Sequence, residues 1–128
     1  MSASSKTPRV LAAIAALIQV TTAVFHATGY SSLIDEVGKS SLSSFFRRSL
    51  PGIWLFFSWH LLAVACVLGW AAVSGFGPAR PLLIFLSVLV CVDTLFVFSL
   101  AGVFAGTVLL ALAALCTIIA TTLWHPNA

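Results

Sequence analysis

The chain has 128 residues, 61% of them hydrophobic and only 7% charged, with a mean hydropathy of +1.15. Soluble domains carry about 25% charged side chains, so six Lys and Arg with three Asp and Glu cannot cover a water-facing surface, and lipid must be the main solvent. The net charge of +3 is scattered over short segments and forms no basic stripe, which excludes nucleic-acid binding.

Taken in order, a polar start from Met1 to Pro8 leads into an apolar run at residues 10–28. The run is long, and Phe25, His26 and Tyr30 follow where a signal peptide would offer a small-x-small cleavage site, so a retained membrane helix is expected. Within it Gln19, Thr22, His26 and Gly29 recur at i, i+3, i+7 and i+10, which places them on one helix face.

Residues 31–50 are the one substantial connection. After Asp35 and Glu36 come Leu42, Phe45, Phe46 and Leu50 at helical spacing beside Arg47 and Arg48. This pattern predicts a short interfacial amphipathic helix, its aromatic face in the acyl region and its arginines among the headgroups.

A second apolar run occupies residues 52–73, opened by Pro51, and a third occupies 81–98, opened by Pro81. Ser74, Gly75, Gly77 and Pro78 make the tight connection between them. Only Ser99 to Ala101 separate the third run from the fourth, at 102–124, so those two helices are expected to be antiparallel neighbours. Each run is near the roughly 20 residues needed to cross a hydrocarbon core of about 30 Å. Trp54, Trp70 and Trp124 fall near predicted helix ends, as belt aromatics do, and Trp59 lies deeper. Gly102 and Gly106 form a G-x-x-x-G pattern continued by Ala113 and Thr117, a surface for close helix packing.

The expected fold is therefore all-α, an integral membrane bundle of four transmembrane helices in a single domain with both termini on one side. Lys6, Arg9 and Arg80 on that side balance Lys39, Arg47 and Arg48 on the other. Because Lys6 and Arg9 flank the first helix to insert, the termini are expected in the cytoplasm, with the chain in a bacterial inner membrane.

Cys66, Cys91 and Cys116 all lie inside apolar runs, without a C-x-x-C pair or a histidine at ligand spacing. Zinc ribbons and thioredoxin-type redox pairs are thereby excluded, and the cysteines read as small apolar side chains.

Within these 128 residues the tails and connections are short, so function must be built from helix side chains, the interfacial segment or a partner. The ionisable residues inside the crossings are His26, His60 and Asp93. Such groups are costly in lipid and normally face the bundle interior. Counted from the side that holds the long connection, His26 lies about 3 Å deep, Asp93 about 8 Å and His60 about 12 Å. All three occupy one leaflet on three different helices. Asp93 has no Lys or Arg in any crossing to pair with.

His26, His60, Asp93, Gln19 and Thr22 are therefore the candidate ligand- or proton-binding residues. Two histidines could ligate haem iron, and His60, Asp93 and His26 together could hold a divalent metal. No catalytic residue is assigned. Three readings follow: a membrane-embedded site for a metal, haem or a lipophilic substrate; a small proton- or ion-coupled carrier or channel acting as an oligomer; and an accessory subunit of a larger membrane complex.

Overall fold

A computed structural model describes residues 3–74 and 80–123. It contains α1 (Ala3–Thr28), α2 (Tyr30–Lys39), α3 (Ser44–Ser74), α4 (Arg80–Ala101) and α5 (Ala105–Thr122). Among the described residues there is no strand. Four helical segments are long and apolar enough to cross a membrane, the first running from Lys6 to Lys39 with one break at Gly29. The protein is thus an all-α, multi-pass membrane bundle. Gly75, Gly77, Pro78 and Trp124, given turn, helix and belt roles above, lie outside the described residues.

The connection between the first two crossings differs in detail from the single interfacial segment expected at 31–50. Tyr30–Lys39 forms its own amphipathic helix, closed where the Ser40 backbone and hydroxyl both donate to the Val37 carbonyl. Ser44–Leu50, with Arg47 and Arg48, is instead the start of α3. Pro51 has no N–H to give to the Arg47 carbonyl, yet α3 continues through it, as membrane helices often do. At about 1.5 Å per residue α3 is about 46 Å long, well beyond a hydrocarbon core of about 30 Å.

The fourth crossing also starts later than expected. Gly102 adopts φ +69°, a left-handed conformation that suits glycine, and its N–H caps the Phe98 carbonyl at 2.8 Å. The Thr107 hydroxyl donates to the Gly102 carbonyl at 2.8 Å. Gly102 is therefore the turn between α4 and α5 and shares no helix face with Gly106, so the expected G-x-x-x-G packing surface does not form. Gly106 is buried under the ring of Phe104, where a Cβ would stand 2.6 Å from a ring carbon.

Close packing comes from alanines instead. Ala12, Ala15, Ala16, Ala71, Ala113 and Ala114 are buried with Val64, Leu68, Leu83, Leu86 and Val90 in the main core cluster. Small side chains let membrane helices approach closely, so dispersion contacts can act where lipid removes the hydrophobic drive between helices. α1 packs against both α3 and α5, and α4 packs against α5, whereas α3 and α4 meet only sparingly. The large apolar residues that remain exposed, among them Trp59, Val88, Val92 and Leu95, form the lipid-facing surface.

Candidate functional site

The polar stripe of α1 faces inward. Gln19 is fully buried, with neither amide atom bonded to another group, and Thr22 is buried with its hydroxyl donating to the Ile18 carbonyl at 2.8 Å. One turn further along, His26 meets α3. Its Nδ1 lies 2.9 Å from Ser58 Oγ, and its ring stacks on Trp54 at 4.1 Å between centroids. The Trp54 indole N–H donates to the His26 carbonyl at 2.8 Å. Trp54, which the sequence placed near a helix end, is thus half-buried and packed beside His26. Gly29 permits this, because a Cβ there would stand 2.8 Å from the Trp54 ring.

His60 and Asp93 come together as their depths implied. His60 Nε2 lies 2.8 Å from Asp93 Oδ2, with side-chain exposures of 25% and 13%. It is the one side-chain hydrogen bond joining α3 to α4 among the described residues, and it crosses the loosest seam in the bundle. Phe57 touches both histidines, at 5.1 Å from His26 and 5.9 Å from His60.

His26 does not join that pair. Among the described residues no three His, Cys, Asp or Glu side chains converge at ligating range, so His26, His60 and Asp93 do not form one metal-holding cluster. The reason is geometric: His26 turns toward Ser58 and Trp54, while His60 turns toward α4.

His26 instead borders a cavity of about 660 Å³ at the end of the bundle beside α2. Its wall includes Thr22 and Phe25 of α1, Leu33 of α2, Trp54 and Phe57 of α3, Phe96 and Val97 of α4, and Phe104 and Leu110 at α5. Ile53, Phe96 and Leu100 border it and are exposed at the α3–α4 seam, and Phe25 and Phe104 border it and are exposed as well, so the cavity opens onto the apolar outer surface of the bundle. The volume lies within the range of about 300 to 1,000 Å³ usual for small-molecule sites. Almost every bordering side chain is apolar or aromatic. His60 and Asp93 do not border it. No protein-family model, curated protein or solved structure matches the chain. Any assignment therefore rests on the chemistry of this cavity and of the His60–Asp93 pair.

Sequence reasoning found His26, Thr22, His60 and Asp93 but not Ser58, Trp54 or the aromatic wall. A serine two residues before His60 carries a readable signal only once α3 is known to run antiparallel against His26.

Proposed function

We propose that the protein binds a lipophilic molecule inside the membrane, in the cavity bordered by His26, entering sideways from the bilayer between α3 and α4. One observation carries this reading: a cavity of about 660 Å³ walled by apolar and aromatic side chains with His26 as its main polar feature. Such a wall rewards apolar surface, while a single polar group fixes orientation. The donor sets favour a lipophile over a metal or haem, because His26 and His60 are engaged by Ser58 and Asp93 and, among the described residues, no third ligand converges on either.

Extraction in mild detergent followed by mass spectrometry tests this. The parent protein should retain a lipophile that Val97→Trp, which fills the cavity, loses. Equal retention in both would overturn it, as would a Soret band or stoichiometric metal in the same preparation.

A second reading, a proton-coupled carrier, is favoured by the hydrogen-bonded His60–Asp93 pair in the loose seam. It predicts proton-dependent flux in liposomes that Asp93→Asn abolishes.

A further inference from the structure

We propose that Ser58 holds the His26 imidazole with its proton on Nε2, so that the cavity takes lipophiles whose head is an oxygen acceptor such as a ketone or ester carbonyl. The proposal rests on the lipophile reading above and names the chemistry of that lipophile's head.

The hydroxyls of the crossing helices have a common habit. Thr21, Thr22, Ser87, Thr94, Thr117 and Thr121 each donate to a carbonyl of the preceding turn in their own helix. Ser58 does not. It is only 7% exposed, and its one partner among the described residues is His26 Nδ1 at 2.9 Å.

A neutral imidazole has one donor and one acceptor, and a serine hydroxyl brings a single proton. If Nδ1–H donated to Ser58, the serine proton would be left in apolar surroundings without an acceptor, which costs free energy comparable to a lost hydrogen bond. If Ser58 O–H donates to Nδ1, the hydroxyl and the ring acceptor are both met, and the one donor left over is the imidazole N–H, which a ligand in the cavity can engage. The imidazole proton then sits on Nε2.

The remaining polar side chains of the cavity are already committed. Thr22 and Thr28 donate to the carbonyls of Ile18 and Phe25, and the Trp54 N–H is held by the His26 carbonyl. The Nε2–H is thus the uncommitted side-chain donor at the cavity among the described residues, on a ring steadied by the Trp54 stack. A protonated Nε2 has no lone pair for a metal ion. It suits a carbonyl oxygen.

The test has two readouts. Nitrogen-15 spectra of histidine-labelled protein in maltoside micelles, with the signal assigned by His26→Phe, should show a protonated Nε2 and a bare Nδ1 at His26. That preference should weaken in Ser58→Ala. In protein that keeps Trp54 while Trp59, Trp70 and Trp124 are changed to Phe, quenching by chain-brominated probes compares a long-chain methyl ketone with the alkane of equal length. The ketone should bind about three- to tenfold more tightly, the range of one net hydrogen bond. The advantage should vanish in His26→Phe and shrink in Ser58→Ala, with alkane affinity unchanged in the latter. Displacement of the ketone by a short-chain diacyl phosphatidylcholine supports the proposal with the bilayer's own ester as the source. Resistance to displacement supports it with a free lipophile.

A protonated Nδ1 in the parent protein, equal affinity for ketone and alkane, or stoichiometric Zn²⁺ on His26 would each overturn the donor assignment. Failure of both probes to bind would overturn the lipophile reading itself.

Discussion

At the end of the bundle away from α2, Ala12, Ala15, Ala71 and Ala113 bring helices into contact and Leu68, Leu83 and Val90 fill the space between them without exposure. At the end beside α2 the half-buried Trp54 and Phe57 and the exposed Phe25, Phe96 and Phe104 border a void instead of filling it. Only Ala23, Leu61 and Leu110 form a small buried cluster between these regions. Bulk alone does not make a core: small residues close the packed end, while large rings prop the other open. Close packing and open volume are therefore found in different parts of the same helices.

That contrast can be broken. Leu68→Ala, at the packed end, should cost about 2 to 5 kcal/mol in steric-trapping or mixed-micelle unfolding, the range for a buried leucine that leaves a cavity. Leu100→Ala at the cavity mouth, where the side chain is 72% exposed, should cost well under about 1 kcal/mol. Similar losses at both sites would mean that the open end is as tightly packed as the other.

Gly29→Val comes next in size. Its new Cβ would displace the Trp54 ring, so about 1 to 3 kcal/mol is expected, together with reduced binding in the cavity. Gly38→Val, where nothing lies within 4 Å, is the matched control. An equal cost at the two glycines would remove the close approach at Gly29.

Asp93→Asn and His60→Gln sharpen the contrast at the seam. The coupling between them should be about 0.6 to 1.7 kcal/mol, the range for hydrogen bonds between membrane helices, and the double change should cost little more than either alone. Strict additivity would show that the pair does not join α3 to α4.

The smallest effect has the opposite sign. Gln19 lies between the two ends, fully buried with both amide atoms unpartnered, so Gln19→Leu should stabilise the bundle by about 1 kcal/mol. A loss of stability would mean that the amide is satisfied in the membrane.

The four crossings were legible because a bilayer demands about twenty apolar residues per helix, and little else satisfies that pattern. The His60–Asp93 pairing was legible for a similar reason: counting residues from a helix end gives depth, and similar depth on neighbouring helices brings side chains within reach. The role of Gly102 was misread because a spacing of four says nothing about where a helix begins; its positive φ places it in a turn. The cavity was not legible at all. It depends on how far helices splay, which no single helix encodes, and on Ser58 and Trp54 meeting His26 across two chain segments.

The helices differ in reach, and the bilayer must answer that difference. α5 has 18 residues, about 27 Å, whereas α3 has 31, about 46 Å. A crossing shorter than the hydrocarbon thickness is met by local thinning, at fractions of a kcal/mol per Å of hydrophobic mismatch. The membrane should therefore thin around α5, which starts just after Phe104 at the cavity wall. Thin bilayers would relieve that mismatch and thick ones would deepen it, so lipid chain length should tune how closely the ester layer approaches His26.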